Sequence, residues 1–139
     1  MGRIVAIDYG HKRTGLSVTD PLQIIAGGLG TFSGKEVLRF LKEYASKEEV
    51  DLFLLGEPFR MNGQPSENWQ RVMRFRDSLQ QALPQIPIKM VDERFTSVLA
   101  HQTILSAGIK KKERRENKGL VDEISATIML QTFLDSKKI

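Results

Sequence analysis

The chain has 139 residues, 40% of them hydrophobic, which supplies one compact core but not two comfortable ones, so one domain over residues 1–139 is expected. It contains no cysteine, and this excludes disulfides, thiolate metal sites and a cysteine nucleophile. The formal charge of +4 is local: residues 110–118, KKKERRENK, hold six basic and two acidic side chains, while the rest of the chain holds fifteen of each.

In chain order, apolar runs of strand length alternate with amphipathic helices. RIVAIDY (3–9), TGLSVTD (14–20) and QIIAGGLGTF (23–32) are separated by short polar or Gly/Pro punctuation and read as an antiparallel meander. A helix follows in SGKEVLRFLKEYASKEE (33–49), where Ser33 and Glu36 have capping-box spacing and Val37, Leu38, Leu41, Tyr44 and Ala45 form one stripe. VDLFLLGEP (50–58) is almost continuously apolar, as a strand covered on both faces should be. A second helix is expected over 66–83, with Trp69, Val72, Met73, Leu79 and Leu83 as core candidates. IPIKMVDE (86–93) is a fifth strand, a helix runs from a Thr96 cap to about Ala107, and a last one covers roughly 120–136. The order βββαβαβαα makes an α/β fold with a five-stranded sheet of mixed direction, flanked by helices.

The apolar N-terminal run begins by residue 4 without a signal-peptide pattern, and no segment reaches the ~20 apolar residues that span a bilayer. A cytoplasmic protein with no membrane partner is expected.

Acids collect where strands end. Asp8 closes the first, Glu57 the fourth, and Asp92 and Glu93 the fifth. Each alone is an ordinary turn residue. Together they are placed to meet, because ligand sites in open α/β sheets lie at the carboxyl ends of strands. Asp122 shares a helix face with Ala126, Met129 and Phe133, a carboxylate at the end of an apolar stripe. An acid near a helix start also favours the dipole by ~0.3–1 kcal/mol. Glu123, on the neighbouring face, reads as a solvent acid.

Several carboxylates, no cysteine, and histidines only at positions 11 and 101 favour hard oxygen ligation of Mg²⁺ or Mn²⁺ over zinc. One or two such ions suit in-line phosphodiester displacement. Gly10 is expected to supply a positive φ for the reversal after Asp8, and Gly15 to let the second strand pass close to the first. Lys12 and Arg13 at the hairpin tip are placed to grip a phosphate, and Lys110, Lys111, Lys112, Arg114, Arg115 and Lys118 to follow a nucleic-acid backbone, although a charge run alone is more often a solvated loop.

These residues resemble the YqgF (RuvX) family of RNase H-like nucleases. The resemblance is carried by IDYGHKRTGLSVTD, LLGEP followed by MNG, VDERFTS, KKKERRENKGLVD and DEISATIMLQTFLD, in order along essentially the whole chain. It implies an RNase H-like fold whose first three strands are antiparallel. It implies a metal-dependent hydrolase of structured RNA or branched DNA, acting in 5′-end processing of pre-16S rRNA and so meeting pre-ribosomal particles. Holliday junction resolution and a weakly catalytic nucleic-acid-binding module are the alternatives. Position by position it assigns metal ligation and catalysis to Asp8, Asp122 and the Asp92/Glu93 pair, with Glu93 preferred, and supporting contacts to Arg13 and Arg94. Glu57 departs from the usual uncharged residue and becomes a further candidate ligand. An actin-like ATPase half also opens with Asp-x-Gly between strands, but needs a second domain. Oligomeric state is left open.

Overall fold

The periodicities that predict three hairpin-linked strands produce β1 (Arg3–Tyr9), β2 (Thr14–Thr19) and β3 (Ala26–Phe32) in a computed structural model that describes residues 2–60, 62–94 and 118–137, with only backbone for 118–120. α1 (Val37–Lys47), β4 (Val50–Glu57), α2 (Trp69–Ala82), β5 (Ile88–Asp92) and α3 (Lys118–Ser136) follow. The five strands lie in the order β3-β2-β1-β4-β5. β1 is antiparallel to β2, and β2 to β3, whereas β1, β4 and β5 are mutually parallel. The mixed sheet and its antiparallel opening are as expected. The helix expected from Thr96, with His101, and the basic residues Lys110, Lys111, Lys112, Arg114 and Arg115 lie outside the described residues. Lys118 opens α3, but its side chain lies outside them too.

Alternation divides the core into two layers. Val5, Ile7, Phe53 and Leu55 point one way, onto Val37 and Leu41 of α1 and Val72, Phe75 and Leu79 of α2. Ile4, Ala6 and Leu54 point the other way, onto Met129, Leu130 and Leu134 of α3. β4 has parallel neighbours on both sides and helices over both faces, which is why its sequence is nearly unbroken Leu and Phe. Of the residues predicted to line the core from the second helix, Val72, Leu79 and Leu83 are buried, Trp69 and Met73 only half-buried.

Several boundaries move, for local reasons. β3 starts at Ala26 rather than Gln23, because the Asp20 carboxylate accepts hydrogen bonds from the N–H groups of Leu22, Ile24 and Ile25 at 3.1, 2.8 and 2.8 Å and holds them in a turn. The predicted capping box does not form. The Ser33 carbonyl accepts from both Glu36 and Val37 N–H at 3.1 Å, and Glu36 stands at the N-cap position with no side-chain cap bond, so α1 begins at Val37. α2 begins at Trp69, not 66, since Pro65 bridges back to Phe59 across a loop. α3, described from Lys118, puts Asp122 beyond its first turn; the dipole explanation for that acid weakens, because the effect fades beyond that turn.

Candidate active site

Three parallel strands bring their carboxyl ends to one edge of the sheet, and acids sit on that edge. Asp8 follows Ile4 and Ala6 in alternation and therefore faces α3. Its cross-strand partner on β2 is Gly15, and on β4 the next position past the Ile7–Leu55 pair is Gly56. Asp8 is thus flanked by two residues without side chains. A methyl group at Gly15 would overlap the backbone carbonyl of Asp122, and one at Gly56 would overlap the carboxylate of Glu93. Gly15 therefore admits α3, rather than easing the contact between β1 and β2 as the sequence suggested. Gly10 also differs from expectation, since its φ is not positive. Its N–H donates to the Arg13 carbonyl at 2.9 Å, and a Cβ would strike that same oxygen, so the turn needs space and not handedness.

Glu93, one residue past β5, lies on the face of Val91 and reaches back over Gly56 to Asp8. The two carboxyl groups lie within hydrogen-bonding reach of each other. Burial, before anything else, pushes Asp8 up to about 6; the bond from Glu93 opposes the rise and the Asp122 charge adds to it. Burial, then the Asp8 charge, pushes Glu93 up to about 8. Asp8 keeps a strip of accessible surface although protein surrounds it on nearly every side. Asp122 is also raised by burial, against the pull of Arg13, whose Nε donates to it at 3.0 Å.

The remaining predicted residues fall elsewhere. Asp92 points to the opposite face from Glu93, toward Arg94, which reaches it at 2.6 Å and holds its carboxyl below the usual range. Glu57 alternates to the face of Phe53 and Leu55, and accepts from the Trp69 indole N–H at 3.0 Å. Arg13 and Arg94 are therefore both engaged by aspartates, while Lys12 and His11 are exposed at the turn. Glu123 is half-buried against Gly28 rather than free in solvent.

Beside Asp8 and Glu93 opens a cleft of about 350 Å³, walled by Phe59, Ser66, Asn68 and Arg94. Asn68 Nδ2 donates to the Tyr9 carbonyl at 2.7 Å and so ties the start of α2 to the end of β1. Asn68 Oδ1 and Ser66 Oγ are buried without a hydrogen-bond partner among the described residues. The sequence reading missed this wall and Gly56, and gave Gly15 the wrong neighbour. The available signal was a glycine breaking each of two apolar runs, Gly56 in LLGE and Gly15 in TGLS.

Among the described residues no three acidic or imidazole side chains stand grouped as cation ligands, since Asp122 is turned to Arg13 and not to Asp8. The donor chemistry nevertheless fits a hard divalent ion. Burial opposes ionisation of both carboxyl groups, a cation between them would relieve it, and every donor is oxygen. The Arg13–Asp122 pair is about one-third exposed, and such pairs contribute roughly 0–1 kcal/mol, so Asp122 is released cheaply.

The comparisons with known proteins agree with one another in coverage. A family model, RuvX, described as Holliday junction resolvase, matches residues 2–136. A protein of Phocaeicola vulgatus named "Putative pre-16S rRNA nuclease" is 56% identical over 138 residues, covering 99% of both chains. A protein of Porphyromonas gingivalis with the same name is 57% identical over 136 residues, covering 98% of both. Among solved structures, Thermus thermophilus RuvC in complex with a Holliday junction substrate aligns with a TM-score of 0.57 at 14% identity, covering 99% of this chain and 97% of that one. A second T. thermophilus RuvC structure gives 0.52 at 14% identity, covering 97% and 96%. At that identity the RuvC likeness establishes an RNase H-like fold. With the full-length sequence matches, it follows that the chain belongs to the RuvX family.

Proposed function

We propose that this chain is a divalent-cation-dependent nuclease, one RNase H-like domain that hydrolyses phosphodiester bonds in structured nucleic acid, and that its substrate is the 5′ end of precursor 16S rRNA on pre-ribosomal particles in the cytoplasm. One observation carries the reading: Glu93 and Asp8, 85 positions apart in the chain, bring their buried carboxyl groups together at the carboxyl ends of parallel strands, with Asp122 in electrostatic range and an open cleft alongside. The names of the full-length relatives point to the RNA substrate.

Asp8 and Glu93 would hold the cation, both ionised, and Asp122 would complete the set once Arg13 engaged a substrate phosphate in its place. When bound, Mg²⁺ or Mn²⁺, one ion or two, supplies Lewis-acid activation of the attacking water and stabilises the leaving oxygen. Arg13 and Lys12 grip the phosphate flanking the scissile bond, and Arg94 frames the cleft wall. Lys110, Lys111, Lys112, Arg114, Arg115 and Lys118 follow the backbone of the same substrate.

The test is parallel cleavage of a precursor 16S rRNA fragment and a four-way DNA junction with Mg²⁺ or Mn²⁺. Cleavage of the RNA that requires the metal and falls at least ~100-fold in Asp8→Asn is the expected result. Preferential cutting of the junction would transfer the chain to resolution, and metal-independent binding without turnover would make it a binding module.

A further inference from the structure

We infer that the substrate strand leaving the Asp8–Glu93 cleft turns round the carboxyl end of β1 and runs over α2, its phosphates held by Arg71 and Arg74. This rests on the nuclease reading above and adds to it the path of the polynucleotide.

The path is a series of hollows that share walls. Asn68 lines both the Asp8–Glu93 cleft and a second hollow of about 240 Å³ that reaches His11 and Arg71. Arg71 then lines a third, of about 380 Å³, with Arg74 and Tyr9. Tyr9 itself also borders the first cleft, so the route closes on the residue next to Asp8.

Charge decides the occupant. Arg71 and Arg74 are three positions apart on α2, on one exposed face, and neither has an ion-pair partner among the described residues. By contrast Arg13, Arg76 and Arg94 are each held by an aspartate. No acid lines the third hollow; Glu67 faces Arg71 across the middle one, so the two hollows together hold one acid against two arginines. The Tyr9 ring is fixed by stacking on Phe75, with centroids 4.4 Å apart and planes at 16°, and offers a rigid side wall to a sugar or base. Unpaired guanidinium groups beside a fixed aromatic ring, continuous with a phosphodiester site, are what a polyanionic strand requires.

The experiment measures binding of a fluorescent precursor 16S rRNA fragment to the full chain without divalent metal, as a function of salt. Arg71→Ala/Arg74→Ala should weaken binding tenfold or more and flatten the salt slope by about 1.4, two single-strand phosphate contacts at ~0.7 each. With metal added, kcat/KM for cleavage should fall in step. Arg71→Lys/Arg74→Lys should recover most of the affinity, because a lysine still meets a phosphate as a point charge. The control is Lys47→Ala/Lys89→Ala, an equal charge loss at exposed positions near the amino ends of β4 and β5, expected to change affinity less than twofold. An Arg71→Ala/Arg74→Ala protein with wild-type melting, affinity and slope overturns the path, as does an equal loss in the control. Arginine-dependent binding in a wild-type chain that cleaves nothing keeps the path and removes the nuclease reading; a wild-type chain that binds no polynucleotide removes both.

Discussion

Glu93 is where a single residue says most about the site. Its carboxyl group and that of Asp8 are both raised, so between about pH 4 and pH 8 this pair binds more protons in the folded chain than in the unfolded one. Stability contributed by this pair is therefore full at the acid end and is lost as pH rises through the folded values, the reverse of a salt-bridged acid. Replacing Glu93 with Gln keeps a hydrogen-bond donor for Asp8 and removes the second charge. We expect Glu93→Gln to melt higher than the parent at pH 8, by roughly 1–2 kcal/mol or about 4 °C and upward, with the gap closing at pH 5. Thermal unfolding at both pH values reads this directly. Equal melting temperatures at pH 8 would mean that the two carboxyl groups do not oppose each other. Asp92, one position away, behaves oppositely, because Arg94 stabilises its charged form.

Elements meet at Asp8 because two glycines let them. Gly15 and Gly56 flank the same acid, yet their replacement by alanine should have different consequences. At Gly15 the new methyl group meets backbone, the Asp122 carbonyl and its neighbours, so α3 as a whole must lift from β2. Overpacking of this kind costs about 1–3 kcal/mol, and Gly15→Ala is expected to lose several degrees of melting temperature along with activity. At Gly56 the methyl group meets the end of a side chain, the Glu93 carboxylate, which swings aside at little cost. Gly56→Ala should keep nearly its full melting temperature and lose at least ~10-fold in metal-dependent cleavage. A scan of both variants by calorimetry and a cleavage assay separates the cases. Matching losses of stability would show that the two glycines serve only packing.

For the molecule as a whole, the sheet puts the parallel ends of β1, β4 and β5 on one side and closes one face with α3, so that charges from distant segments meet in a common field. Binding of a divalent ion there should release close to one proton at neutral pH and stabilise the fold by mass action. The rise in melting temperature on adding Mg²⁺ or Mn²⁺ is accordingly expected to be larger at pH 8 than at pH 5.5 and to vanish with EDTA or in Asp8→Asn; a pH-independent rise would place the ion elsewhere. Much of this molecule is legible in one dimension. The alternation of Ile4–Ile7, the unbroken run Phe53–Leu55 and the stripe Ala126–Met129 depend on periods of 2 and 3.6, which are local properties, and with them came the succession of elements, the antiparallel opening of the sheet and the placing of acids at strand ends. What folding alone decided was which acids touch. Asp92 and Glu93 are adjacent in sequence and separate onto opposite faces; Glu57 goes to Trp69, Asp122 turns to Arg13, and Gly15 and Gly56 acquire a purpose only against groups brought from far along the chain. Contact between distant segments depends on strand register and on the room left by missing side chains, and neither is encoded within the reach of a local pattern.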